Sequence, residues 1–472
     1  MIDGWLTLLP PLVAIAFVFW RKEVVTALIL GLITSEWLLA INQGSYSPFK
    51  GFIAGIERQI SVLNDSGNAR LLVFSLLIGA VLAFMQYSGG VAALVQRLVS
   101  SGFANTARRS GLLSFITGVV VFIESNLSVL TAGILSRGLF DRFGMSRARL
   151  AYIIDGTSAP ICILILLNGW GAFILGIIAE FSGNHSPVSV LIGTIPLNVY
   201  ALSTLVVVFY TVWTGRVHGT LKAHELQQDA DVIESTKENQ SESVYATEES
   251  ILVGRARDML IPLAVLVIGM LLFMLWTGDG NIMAGSGSKS VLYATILSIV
   301  VGFLLLIQQP RFAYRQVVDM GFKGISNVLP LVAILFLSIG LGASVRELGT
   351  GVFISGLVAD YLPLFMVPAV VFLAGAFASF STGTSWGTFA LLVPIAMPIS
   401  IELNLPPSLI LAAVLGGGIF GDHSSPLSDT TAVSSLAAGS DLLDHVRTQL
   451  PYALACGGFS LVAYLFLGWW MI

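Results

Sequence analysis

Charge is what this chain has least of. Only 11% of its 472 residues are Asp, Glu, Lys or Arg, while 56% are hydrophobic. A soluble domain carries about 25% charged residues, so this chain lacks the means to present a water-facing surface. A soluble enzyme is excluded, and a polytopic membrane protein is expected. Cysteine is nearly absent: Cys162 and Cys456 are the whole complement, each inside an apolar run. That excludes a disulfide framework and a thiolate metal site. There is no Gly-x-x-x-x-Gly-Lys-Ser/Thr loop, so nothing points to ATP as the driving force. Export, mitochondrial and lipidation signals are also missing. The run Leu6–Trp20 has no Lys or Arg before it and no small-residue cleavage site after it, and reads as a retained first helix.

The few charges are unevenly placed. The net formal charge is -4, yet residues 225–250 hold eight acids against Lys237 alone. Without that stretch the chain is mildly basic, which argues against nucleic acid as a partner. The stretch 216–257 is polar and Ser/Glu-rich and reads as a flexible linker. It divides the chain into residues 1–215 and 258–472.

A bilayer core about 30 Å thick needs roughly 20 helical residues. Apolar runs of that order occur near 5–20, 24–42, 70–87, 149–167, 188–214, 258–276, 290–308, 328–345 and 450–471. The fold class expected is therefore all-α and multi-pass. The two parts look like repeats. Pro11-Leu12 matches Pro262-Leu263, Ile78-Gly79 matches Ile339-Gly340, and Gly90-Val91 matches Gly351-Val352. Glu124-Ser125-Asn126 falls opposite Thr384-Ser385-Trp386 at an offset of 260, and Ser158-Ala159-Pro160 opposite Ser424-Ser425-Pro426 at 266. The larger offset implies a short insertion near Glu402–Pro407. Lys and Arg mark cytoplasmic loops. Arg21 and Lys22 follow the first run, whereas its counterpart 277–289 has one late Lys; the next loops reverse, with one Lys in 43–50 but Arg311, Arg315 and Lys323 in 309–323. The charges predict an inverted repeat, with the N-terminus outside and the linker cytoplasmic.

Polar breaks inside apolar runs should line protein or a water-filled cavity, because unpaired backbone is not tolerated in lipid. Four breaks stand out: Glu124-Ser125-Asn126; Asp155 to Pro160, with Thr157 and Ser158; Ser381 to Thr388, with Thr382, Thr384, Ser385 and Trp386; and Gly416 to Thr431, with Asp422, His423, Ser424, Ser425, Ser428, Asp429 and Thr430. Freed carbonyls, Ser/Thr hydroxyls and a carboxylate are hard oxygen ligands suited to a small cation such as sodium. Asp155, Asp429, Ser424 and Thr384 are the expected sodium ligands. Half-helix N-termini suit an anionic or zwitterionic solute. Asp422 and Asp429 also read as helix caps, but two acids, a His and several hydroxyls in nine residues favour function. Glu124 reads as a site residue or as a wetted hairpin tip. His423 reads as a proton-sensitive group or as a neutral partner of hydroxyls. The run Gly416–Gly418 reads as site backbone or as close helix packing. Glu36, Arg346, Glu347 and Asp360 read as interfacial, and His445 and Arg447 as a surface stretch.

The run Gly421-Asp422-His423-Ser424-Ser425-Pro426-Leu427-Ser428-Asp429-Thr430-Thr431 resembles the signature of the NhaC-type sodium/proton antiporter family. Gly439 to Arg447 continues it, and Gly383-Thr384-Ser385-Trp386-Gly387-Thr388 is similar to a second motif of that family. The resemblance implies a secondary transporter in the bacterial inner membrane, with Na+ as coupling ion and no other cofactor. It also implies a scaffold domain and a transport domain, with re-entrant hairpins at 105–145 and 364–400. Asp155–Pro160 and Asp422–Pro426 would be unwound segments facing the hairpin tips. A homodimer in contact with lipid, and an elevator-like motion, are further implications. The cargo stays open between protons and a small amino acid or carboxylate, because the family includes carriers of organic solutes. Asn126 and Trp386 would then touch the solute. Paired Asp155 and Asp422 suggest an intramembrane aspartyl protease only weakly, since Ile419-Phe420-Gly421-Asp422 lacks the first Gly of the Gly-x-Gly-Asp motif. A channel fits paired breaks less well than alternating access does.

Overall fold

The structure is a computed structural model that describes residues 4–21, 23–90, 93, 105–122, 124–166, 168–179, 181, 186–226, 254–281 and 285–472. Lys22, Val91, His185 and the linker residues 227–253 lie outside the described residues. The described residues hold helices and no strand. Among the described residues, ten helices are long and apolar enough to cross a membrane. The all-α, multi-pass expectation holds.

After a short 3-10 turn, Gly4–Leu8, come α1 (Leu9–Arg21), α2 (Val24–Asn42), α3 (Pro48–Val62) and α4 (Ser66–Tyr87). Next are α5 (Ala107–Val120), α6 (Ser125–Arg142), α7 (Arg147–Leu164), α8 (Gly169–Ile178), α9 (Pro187–Gly193) and α10 (Val199–Thr214). The second part holds α11 (Arg257–Thr277), α12 (Gly287–Ile307), α13 (Tyr314–Glu347), α14 (Thr350–Tyr361), α15 (Val367–Thr382), α16 (Ser385–Glu402), α17 (Pro407–Ser424), α18 (Asp429–Ala438) and α19 (Leu442–Met471). Several helix starts are fixed by side-chain caps, as polar residues before apolar runs should do. Asp65 accepts from the Asn68 N–H at 2.8 Å, Thr106 from Arg109 at 3.2 Å, and Ser146 from Arg149 at 3.0 Å.

The helices pack as two groups. One is built on α4 against α13, with α2, α3, α11 and α12 around them. There Gly79 and Gly324 meet backbone to backbone: a Cβ on either would strike the other's carbonyl. The second group surrounds α7 and α17. Residues Ala148–Leu164 are buried on every face by α5, α6, α10 and α18, and α17 is nearly as enclosed. A helix enclosed on all sides needs no polar face, so neither shows an apolar stripe in the sequence. Gly417 lies against the Phe372 carbonyl of α15, so the Gly416–Gly418 run serves close packing.

Four corrections follow. First, Asp155–Pro160 is not unwound. Pro160 removes one ladder hydrogen bond, but the enclosed helix continues to Leu164. The chain bends by 51° only between α7 and α8. In the second part, α17 runs through Gly416–Phe420 and opens at Ser425. Second, there is no insertion near Glu402–Pro407. Helices α6, α7 and α8 have 18, 18 and 10 residues, and α16, α17 and α18 have 18, 18 and 10, each pair starting 260 positions apart. The likeness at 266 joins non-equivalent positions. Third, Glu36 is not interfacial. It is 5% exposed, and Arg58 binds it at 2.6 Å while also holding Glu347 at 2.6 Å, tying α2, α3 and α13 together. Fourth, the linker does not begin at 216. Residues 219–226 are helical and dock on the body. Thr220 donates to the Arg447 carbonyl at 2.8 Å, and Glu225 lies 3.5 Å from Arg149.

Two outcomes test this packing. Gly324→Val should force α4 and α13 apart, cost about 1–3 kcal/mol and lower the thermal midpoint in detergent. Glu36→Gln should lower that midpoint more than Glu347→Gln does, because Glu36 is the buried partner of Arg58. Equal midpoints for the two Gln variants would show that burial of the pair has no energetic weight.

Candidate functional site

Two hairpins and two helix breaks converge on one region. The α5–α6 hairpin turns between Val120 and Ser125, and the α15–α16 hairpin at 383–384, where Gly383 takes φ +69°. A left-handed residue there reverses the chain without a Cβ clash. Beside each hairpin lies a break, one between Leu164 of α7 and Gly169 of α8 and one at 425–428 between α17 and α18.

The freed backbone is stitched by side chains. Glu124 caps α6, accepting from Asn126 N–H at 3.0 Å and Leu127 N–H at 2.6 Å. Asn168 caps α8 through Trp170 and Gly171, and its amide donates to the carbonyls of Phe122 and Cys162, each at 2.8 Å. It thereby fastens the first hairpin to the first break. Ser425 does the same in the second part, donating to the Phe380 carbonyl at 2.7 Å. Thr384 caps α16 through Gly387, and Ser428 caps α18 through Thr431.

Two carboxylates sit at the centre, both buried. Asp155 on α7 accepts from Ser434 Oγ of α18 at 3.1 Å and from Gln449 Nε2 of α19 at 2.6 Å, and His445 Nε2 lies 3.4 Å away. Gln449 also donates to the His423 carbonyl at 3.0 Å. Asp422 on α17 is 1% exposed. Its Oδ2 faces Ser385 Oγ at 3.3 Å and Thr430 Oγ1 at 3.5 Å, and its Oδ1 has no hydrogen-bond partner. Ser428 and Thr430 share a hydroxyl contact at 3.0 Å. Asp429 lies within electrostatic range of Glu124, Asp155 and Asp422. Among the described residues, none of these contacts to Asp155 and Asp422 comes from Lys or Arg. Nor do the described residues hold a cluster of three His, Cys, Asp or Glu that would bind a metal tightly.

The structure thus gathers Asp155, Asp422, His423, Ser385, Ser428, Asp429 and Thr430, with Glu124 near them. It puts other expected residues to different use. Thr157, Ser158 and Ser424 donate to carbonyls of their own helices. Thr382 faces the Ser379 and Thr384 carbonyls. Ser125 lies 3.4 Å from Glu124, while Asn126 Oδ1 is buried without a partner. Trp386 packs in an aromatic cluster, its ring centroid 4.8 Å from both Trp170 and Phe173.

Five site residues were missed in the sequence: Asn168, Tyr200, Ser434, His445 and Gln449. His445 is 0% exposed, not superficial. It and Gln449 are four residues apart, on one helix face, and that spacing beside a Pro-broken apolar run was a usable signal. Tyr200, whose hydroxyl lies 3.3 Å from His423 Nδ1, carried none.

Comparison with known proteins fits this geometry. A model of the Na+/H+ antiporter family matches residues 161–469. An uncharacterised protein of Haemophilus influenzae is 30% identical over 98% of this chain and 90% of its own length. The arginine/ornithine antiporter of Halobacterium salinarum is 36% identical over 34% of the chain, and the malate-2H+/Na+-lactate antiporter of Bacillus subtilis 32% over 37%. The chain spans about a third of the length of these two exchangers, 33% and 38%. Among solved structures, the YdaH transporter of Alcanivorax borkumensis shares the fold, with a TM-score of 0.56 at 13% identity over 88% of both chains. The MtrF efflux pump of Neisseria gonorrhoeae gives 0.56 at 14%, over 88% of this chain and 84% of its own. The chain belongs to the Na+/H+ antiporter family, and is a membrane transporter and not an enzyme.

Proposed function

We propose that the protein exchanges sodium for protons across a bacterial inner membrane, with Asp422 as the shared site. The observation that carries this is Asp422 itself: buried, lined by hydroxyls, with one oxygen unpartnered and, among the described residues, no Lys or Arg bound to it. A buried carboxylate in that state needs a proton or a cation. A carboxylate that must lose its proton to take sodium couples the two ions with no further device. Ser385, Ser428 and Thr430 supply hard oxygens beside it. Asp429, whose Oδ1 accepts the Thr430 N–H at 2.9 Å, adds negative charge. Asp155 is the less available ligand, because Ser434 and Gln449 already donate to it.

The matched helices at a spacing of 260 and the loop charges support an inverted repeat with the linker in the cytoplasm and the N-terminus outside. The group around α4 and α13 would act as scaffold, joined in a homodimer and facing lipid. The group around α7 and α17 would move as the transport domain, in an elevator-like motion.

An organic cargo is the second reading, and the charge pattern narrows it. Glu124 fills the N-terminus of α6, and Asp429 opens the first turn of α18. Those ends disfavour a carboxylate and favour an ammonium or guanidinium group. An amine-bearing solute therefore fits better than a dicarboxylate.

Purified protein in liposomes loaded with a pH dye tests both readings. A sodium gradient alone should change the internal pH. Asp422→Asn should abolish that response while the protein stays monodisperse in detergent. Ser385→Ala should raise the half-activating sodium concentration about tenfold, the effect of losing one hydrogen bond to a charged group. Silence with sodium, followed by sodium-dependent uptake of arginine or ornithine, would replace proton exchange by the organic-solute reading. An Asp422→Asn protein that still responds to sodium would remove Asp422 from the site.

A further inference from the structure

Among the buried polar atoms of the second helix group that lack hydrogen-bond partners are Tyr152 Oη, Thr204 Oγ1, His423 Nε2 and Gln449 Oε1. All four residues line one small cavity between α7, α10, α17 and α19, which Tyr452 and Cys456 also border. Its volume is about 10 Å³, roughly the space one water centre needs. Buried polar atoms left unpaired are costly and rare, and four on one cavity point to an occupant that satisfies them together.

The chemistry of the four atoms defines that occupant. The Gln449 amide nitrogen is committed to Asp155 and to the His423 carbonyl, so its oxygen is the free end and needs a donor. His423 Nδ1 faces the Tyr200 hydroxyl, which leaves Nε2 for the cavity. Tyr152 and Thr204 each have a hydroxyl proton to donate. Two donors and two groups able to accept match the tetrahedral needs of a water molecule.

The cavity also has an exit. Tyr452 Oη accepts from the His218 N–H at 2.6 Å and donates to the His218 carbonyl at 3.2 Å. His218 is exposed and leads into the docked 219–226 helix. We propose that this cavity is a hydration site, and that Tyr452 closes a water route from the surface around His218 to the amide that holds Asp155. It is independent of whether sodium, protons or an organic amine is carried.

Pulsed hydroxyl-radical footprinting of the full chain in nanodiscs tests this, because radicals form from waters held beside side chains. The two cysteines give an internal comparison, since both are buried, Cys162 at 0% and Cys456 at 3% exposure, but Cys162 lies off the cavity. Tyr464, also buried and off the cavity, serves the same purpose for Tyr152. Cys456 and Tyr152 should label several-fold faster than Cys162 and Tyr464. Equal protection of all four would mean a dry cavity and overturn the proposal. Tyr452→Phe, which frees the His218 backbone, should raise Cys456 labelling further. An unchanged rate in a folded Tyr452→Phe protein would overturn the route.

Discussion

An interrupted helix inside a bilayer has no solvent to satisfy the amides and carbonyls it releases, so something in the protein must do it. That constraint organises the centre of this molecule. Asn168 is the clearest case. One side chain accepts two backbone N–H groups of α8 and donates to carbonyls on the hairpin and on α7. Ser425, Glu124, Thr384 and Ser428 serve the other ends. The breaks persist because each is stitched, and the stitches also fix where the charged groups stand.

The electrostatic character of the site follows from that arrangement. Helix N-termini are natural anion sites, but two of them here are occupied by the protein's own acids, Glu124 and Asp429. The positive ends of α6 and α18 thereby face internal carboxylates, while α8 and α16 are capped by the neutral Asn168 and Thr384. Around Asp155 and Asp422 stand acids, hydroxyls and the imidazoles of His423 and His445, and among the described residues no Lys or Arg contacts either carboxylate. In the proposed function, that composition is what suits the site to a cation. The fold shared with YdaH and MtrF says nothing about cargo, and the acids carry that argument alone.

Much of this was legible in the sequence, for definite reasons. Low charge and long apolar runs fixed the membrane class, and polar residues in those runs marked the two hairpins and the opening at Ser425. The Asp422–Thr431 run pointed to the carboxylate that the structure leaves unpartnered. The rest was hidden by tertiary context. Asp155–Pro160 looks like a break, yet enclosure by four helices keeps it helical. Glu36 looks interfacial because its partner Arg58 lies on a different helix. His445 looks superficial because a helix start with Asp441 and Asp444 resembles a surface turn, while packing buries its ring beside Asp155. The false register at 266 arose from matching Ser-x-Pro triplets when helix lengths were the stronger guide.

The equal lengths of α6–α8 and α16–α18 bear on energetics as well as ancestry. In the inverted reading, two halves with the same contour can exchange roles, each taking the shape the other has left. Two end states related in that way would draw on nearly the same set of contacts, and their intrinsic free energies would be close. A transporter balanced like this would not favour one side of the membrane by its fold. Its bias would come from what is bound, and a modest difference in ion gradients would then be enough to set the direction of turnover.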